Sequence, residues 1–202
     1  GENLIASDIP ALLEYTRDVI FLNDREVAVV TRDSVALYDQ YGQPVKRESY
    51  HVNWDVSQAE KGGYEHFMIK EIHEEPRAMA DTFFPRYKDG LIDLSEIGID
   101  EQLVKSIDKV GIIACGTAFH AGMVGKYIIE DLARIPVEVE VASEFRYRRP
   151  IITPGQLFII ISQSGETADT LAAMREAKKH GAKVAAIVNV VGSTIAREAD
   201  AV

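Results

Sequence analysis

Beyond residue 106 apolar runs and amphipathic stretches alternate in a regular order. Val110-Gly111-Ile112-Ile113-Ala114-Cys115 is a continuous apolar run, the pattern of a strand covered on both faces. Residues 117–134 follow a helical period, with Ala121, Val124, Ile128 and Leu132 on the expected core side. Gly122 and Gly125 lower helix propensity, so the pattern predicts close packing of this helix on the sheet. Residues 137–141 alternate Val and Glu, as a strand near a sheet edge does, and 157–161 form the most hydrophobic run of all. A helix is predicted over 167–180, where Lys178-Lys179-His180-Gly181 supplies cations in the last turn and Gly beyond it. A strand over 184–188 and a short helix over 193–199 follow. This order predicts an α/β fold whose C-terminal half is a doubly wound parallel sheet.

The first 60 residues read differently. Residues 26–31 and 34–38 are short β runs joined by Arg32-Asp33, the pattern of a hairpin. Residues 39–44 make a second turn, and a further β segment is predicted around 45–54. Ahead of them, Ser7-Asp8-Ile9-Pro10 can cap a short helix. From 63 to 87 the pattern is helical, with Phe67, Ile69, Ile72 and Met79 among polar residues; Pro76 marks a helix start or a break. Phe84-Pro85-Arg86-Tyr87-Lys88-Asp89-Gly90 and the stretch 91–99 read as a connector, with a boundary inside 75–105. Because the chain opens without Met and reaches Val202 as a new strand begins, it reads as an internal piece of a longer protein.

Composition narrows the function classes. The 202 residues are 47% hydrophobic and 27% charged, with 14 Gly and 7 Pro, which excludes a wholly disordered or collagen-like chain. The formal charge of −10 repels phosphate backbones and argues against nucleic acid as a partner. No apolar stretch is long enough to span a bilayer, and no charged-then-apolar leader opens the sequence. Cys115 is the single cysteine, so no internal disulfide exists and a reducing cytoplasm fits.

The strongest chemical signal is Ser162-Gln163-Ser164-Gly165-Glu166-Thr167, set between a buried strand and a helix. Ligands of open α/β sheets bind beyond the carboxyl ends of strands, and helix N-termini favour anions. Three hydroxyls around one glycine can donate to a phosphate; the alternative is that they only cap the turn. The loop has no Walker lysine, and no Gly-x-Gly-x-x-Gly occurs, which disfavours nucleoside triphosphates and dinucleotides. Cys115-Gly116-Thr117-Ala118 occupies the same strand-to-helix position earlier in the sheet, where Thr117 can add a donor. Cys115 reads as a buried strand end rather than a nucleophile. His66 and His73 lie near one helical face but lack a third ligand, so no metal site is predicted. Arg146, Arg148 and Arg149 form the only basic cluster and read as a solvated turn; His120 reads as packed.

Three segments together carry a resemblance. Cys115-Gly116-Thr117, Ala142-Ser143-Glu144-Phe145-Arg146-Tyr147 and Ser162 to Thr170 resemble the glutamine–fructose-6-phosphate aminotransferase (isomerising) family. Glu2 to Asp8 and Lys61 to Ile72 resemble the end of that family's glutaminase domain. The serine-rich motif alone marks the wider sugar isomerase (SIS) domain superfamily. The resemblance implies three parts: residues 1–75 as the C-terminal part of an N-terminal-nucleophile glutaminase domain, 76–105 as connector, and 106–202 as a first, incomplete, flavodoxin-like SIS domain. It implies conversion of fructose 6-phosphate and glutamine to glucosamine 6-phosphate and glutamate, without a cofactor, in a cytoplasmic homodimer. Glutamine would be handled by glutaminase residues outside this chain. By the same resemblance Thr117, Ser162, Gln163, Ser164 and Thr167 hold the substrate phosphate. No catalytic residue falls within the chain, because the nucleophilic Cys belongs ahead of Gly1 and the acid–base Lys, Glu and His beyond Val202. Ala118 departs from the family's usual Ser. A non-catalytic sugar-phosphate-sensing module is the alternative, and a flavodoxin-like nucleotide binder a third.

Overall fold

The structure is a computed structural model that describes residues 2–7, 9, 11–52 and 61–202. The chain divides into two compact units, Gly1–Thr82 and Phe83–Val202.

The first unit is built from short strands. β1 (Asp18–Val19), β2 (Val27–Val30), β3 (Val35–Tyr38), β4 (Pro44–Val45) and β5 (Tyr50–His51) are followed by α1 (Phe67–Phe83), whose last residue opens the second unit. β2 and β3 form the expected antiparallel hairpin, extended by β4. Asp39 shapes the next turn by accepting from the Tyr41 and Gln43 amides at 2.8 and 2.9 Å. β1 pairs with β5 across 33 residues of chain, Asp18 opposite His51. Ile9, Leu13, Val19 and Val52 make a small core there. The short N-terminal helix resolves only as hydrogen-bonded turns over residues 11–15, and its capping residues Asp8 and Pro10 lie outside the described residues, as does Trp54.

α1 runs unbroken through Pro76, so this proline neither starts nor splits the helix. An interior proline costs a helix roughly 3 kcal/mol, which cooperativity along the remaining turns must offset. The expected apolar face is present but uncovered, with Phe67, Ile69, Ile72 and Met79 all exposed. The helix starts at Phe67, so His66 precedes it and does not share a helical face with His73. His73 stacks on Tyr64 instead, with ring centroids 5.4 Å apart.

The second unit opens with a small hairpin, β6 (Tyr87–Lys88) and β7 (Leu91–Ile92), and a short helix, α2 (Glu101–Ser106), capped by Asp100. Then come β8 (Lys109–Ala114), α3 (Thr117–Leu132), β9 (Val137–Val141), α4 (Ala142–Phe145), β10 (Gln156–Ser162), α5 (Ala168–Lys179), β11 (Lys183–Val188) and α6 (Thr194–Glu198). The four long strands form one parallel sheet in the order β11-β10-β8-β9. β8 and β10 are central, with apolar interiors between polar end residues; β9, with its alternating glutamates, lies at the edge as its pattern predicts.

Alternate side chains of each strand feed two cores. Ile113, Phe158, Ile160 and Val184 face α4, α5 and α6, whose Phe145, Met174, Ala177 and Ile195 fill that side. Phe145 meets Phe158 edge-on with centroids 5.6 Å apart. Each such fully buried apolar side chain is worth about 1.5–3 kcal/mol relative to exposure. Val110, Ile112, Val137 and Val139 face the other way, against Ile129 of α3. Helices thus cover both faces, and the sheet is doubly wound.

α3 corrects one expectation. Ala121, Val124, Ile128 and Leu132 do not face the sheet; all four are exposed, Leu132 at 78%. The sheet side is formed by Gly122 and Ile129. A Cβ on Gly122 would lie 2.8 Å from the Ile112 side chain, so glycine sets how closely helix and strand approach. Periodicity found the apolar stripe, but the smallest residues do the packing.

Candidate phosphate-binding site

Because β8 and β10 are neighbours while their connections leave on opposite sides, the sheet has its topological switch point between them. A crevice opens at such a point beyond the carboxyl ends of the strands. The register sets Ile113 beside Ile160, which brings the loops after Ala114 and after Ser162 to the same end of adjacent strands.

The loop after β10 is tightly built. Ser162 is buried, and its hydroxyl oxygen accepts the Gly165 amide at 3.0 Å. Ser164 is half-buried and its hydroxyl oxygen accepts the Glu166 amide at 3.2 Å. The exposed Gln163 offers its carbonyl to the amides of Asn189 and Val190, at 3.3 and 3.2 Å. Gly165 takes φ +67°, and a Cβ there would stand 2.0 Å from the Ser193 hydroxyl. Only glycine meets both conditions. The Gly165 carbonyl accepts the Ile195 amide at 3.0 Å, and Glu166 accepts the Thr194 amide at 2.7 Å. The turn after β11 and the first residues of α6 therefore brace this loop. Ser193 is buried with its hydroxyl unpartnered among the described residues.

Thr167 stands at the N-cap position of α5 with φ −61° and ψ 113°, exposed, and its side chain makes no capping bond. The first amide to bond back into the helix is that of Leu171, to the Thr167 carbonyl at 2.9 Å. The amides of Ala168, Asp169 and Thr170 therefore point out of the helix end, where an anion is favoured by their N–H groups and by the helix dipole. Ser162 and Ser164 thus spend their oxygen lone pairs on the loop, as capping residues would. The Thr167 hydroxyl does not.

The loop after β8 is simpler. Gly116 has φ 59° and ψ −134°, with open space where a Cβ would stand, and Thr117 is exposed as the first residue of α3. Neither residue supplies a side-chain cap. Cys115 is half-buried and packs against the core side that holds Ile113. His120 is exposed rather than packed, resting edge-on to Phe119.

The basic cluster is not simply solvated. Arg146, at the end of α4, donates from Nη1 to Asp169 Oδ1 at 2.7 Å. Arg148 donates through Nε to Glu140 at 2.6 Å and pairs with it again through Nη2. Hydrogen bonding to these carboxylates raises both guanidinium pKa values, burial acting the other way. Sequence reading missed α4 and these pairings, since no local pattern links Arg146 to an aspartate 23 residues on. It also missed that Asn189, Val190, Thr194 and Ile195 brace the β10–α5 loop.

The SIS domain family model matches residues 103–202. The glutamine–fructose-6-phosphate aminotransferase (isomerizing) of Caldanaerobacter subterraneus subsp. tengcongensis is 59% identical over 203 residues, covering 100% of this chain and 33% of the relative. That of Clostridium tetani is 60% identical over 200 residues, covering 98% and 33%. Among solved structures, the C-terminal domain of glucosamine-fructose-6-phosphate aminotransferase from Francisella tularensis superposes with a TM-score of 0.63 at 44% identity, covering 70% of this chain and 40% of that one. The chain spans about a third of the length of these curated relatives. Residues 103–202 thus match the SIS domain family, and essentially the whole chain is similar to about a third of the glutamine–fructose-6-phosphate aminotransferases.

Proposed function

We propose that this chain supplies the phosphate-holding part of a sugar-phosphate site in a protein that converts fructose 6-phosphate and glutamine into glucosamine 6-phosphate and glutamate. The observation that carries the reading is the Ser162–Thr167 loop. It is rigidly supported, sits at the switch point of a parallel sheet, and leaves the Thr167 hydroxyl and the helix-end amides for an anion. Thr117, Ser162, Gln163, Ser164 and Thr167 are its ligand residues. Ser162 and Ser164 donate their hydroxyl protons while their oxygens hold the loop; Thr167, Thr117 and Gln163 reach the phosphate from exposed positions. Each neutral donor to a charged phosphate contributes about 1.5–3 kcal/mol.

The chain's own part in the reaction is to bind and orient. A phosphate anchored at the end of α5 fixes one end of an open-chain hexose, so that its carbonyl carbon is presented to groups beyond this cradle. Residues 1–75 are the end of a glutaminase domain that would release ammonia from glutamine, 76–105 a connector, and 106–202 the start of the isomerase half. The acid–base groups and the glutaminase nucleophile belong to other parts of a cytoplasmic, homodimeric protein. The 59–60% identity to aminotransferases along the entire chain supports the glutaminase assignment as well as the SIS one.

The test is product formation by the full-length protein. Glucosamine 6-phosphate should appear only when fructose 6-phosphate and glutamine are both present, and S164A/T167A should raise the KM for fructose 6-phosphate by about tenfold or more. Saturable sugar-phosphate binding without turnover would instead support the sensing module. The isolated 202-residue chain should form no product.

A further inference from the structure

The cradle loop carries an electrostatic contradiction. Residues 162–170 contain two carboxylates, Glu166 and Asp169, and no cation, yet the reading above asks them to hold a dianion. Asp169 lies in the first turn of α5, where a free carboxylate is drawn to the same helix-end amides that a phosphate would use. Both acids are instead held elsewhere. Glu166 accepts from the Thr194 amide at 2.7 Å. Asp169 is held by Arg146 at 2.7 Å, in a half-buried pair whose side chains are 31% and 41% exposed.

Arg146 is itself fixed in place. It follows directly on α4, whose Ala142 and Phe145 are fully buried, and its guanidinium carbon sits 4.8 Å from the centroid of the Tyr147 ring. The buried turn anchors the backbone from which this side chain leaves, and the exposed Tyr147 ring adds a cation–π contact. α4 therefore delivers one guanidinium to the helix whose first amides form the cradle.

We propose that Arg146 is a positioning residue for phosphate binding: it draws the Asp169 carboxylate away from the α5 N-terminus and neutralises it, leaving those amides to the sugar phosphate. This inference rests on the sugar-phosphate reading. Arg146 acts through Asp169 and does not itself contact the ligand. Removing the arginine alone should then be harmful, and removing both charges should not.

The experiment is a double-mutant cycle in the full-length protein, reading the dissociation constant for fructose 6-phosphate by calorimetry together with kcat and KM. R146Q should weaken binding and raise KM about tenfold, equivalent to about 1.4 kcal/mol, with kcat nearly unchanged. D169N should bind as well as the parent or better, and R146Q/D169N should return to within about threefold of it. R146K, which keeps the charge, should lose less than R146Q and serves if R146Q does not fold. Three results would overturn the inference: a double variant as weak as R146Q, as a direct phosphate contact by Arg146 requires; a loss confined to kcat; or an unchanged KM in R146Q and R146K. If the unmutated protein fails to bind fructose 6-phosphate, the sugar-phosphate reading itself falls and takes this inference with it.

Discussion

The two strand-to-helix loops at the switch point occupy equivalent places in the sheet yet are built to different standards. After β10, the Ser162 and Ser164 hydroxyl oxygens accept the Gly165 and Glu166 amides, and residues 189–195 brace Gln163, Gly165 and Glu166 from the other side. After β8, Gly116 and Thr117 make no side-chain cap, and open space surrounds the glycine. Preorganisation therefore resides in the β10 loop. Donors that must meet a phosphate at fixed distances belong on the supported loop, because ordering them at the moment of binding would cost affinity. The β8 loop can contribute a hydroxyl but cannot define the site.

The largest expected effect comes from G165A. Its Cβ would combine a left-handed φ with a 2.0 Å clash on Ser193, so stability should fall by roughly 3–5 kcal/mol and sugar-phosphate turnover by about a hundredfold. Thermal denaturation and kcat/KM of the full-length protein would read both. Next is T167A, which removes the one loop hydroxyl not spent on capping; the KM for fructose 6-phosphate should rise about 10- to 100-fold with little change in melting temperature. G116A sharpens the contrast with Gly165. Its φ is also positive, but no neighbour stands in the way, so only backbone strain of about 1–3 kcal/mol is expected. E166Q should cost about 1 kcal/mol or less, because an amide oxygen still accepts from Thr194, only more weakly. T117A should be mildest, with KM rising about threefold to tenfold. If T117A proved costlier than T167A, the ranking of the two loops would be reversed.

Much of the SIS unit could be read from its sequence, because strands buried on both faces announce themselves as apolar runs. Residues 110–115 and 157–161 became β8 and β10 nearly to the residue. The loop motif could be read for the same reason, being fixed between two unmistakable elements. The side of α3 that meets the sheet could not. A period of Val124, Ile128 and Leu132 marks a stripe, but contact was decided by Gly122, whose missing Cβ carries no hydropathy signal. The β1–β5 pair and the Arg146–Asp169 pair were likewise invisible, since each joins residues that only tertiary folding brings together. In the first unit the β2–β3 hairpin was legible from its two β runs and the turn between them, and a β segment was expected where β5 lies, but β1, two residues long, is too short for periodicity to place it.

The proposed role of the Ser162–Thr167 loop is to bind the phosphate of a sugar phosphate. The most direct test is calorimetric titration of the full-length protein with fructose 6-phosphate and, in parallel, with fructose, for the parent and for S164A/T167A. Fructose 6-phosphate should bind saturably, fructose should not bind at the same concentrations, and the variant should lose affinity by about tenfold or more. Equal affinity for the two sugars, or undiminished binding of fructose 6-phosphate by the variant, would contradict that role.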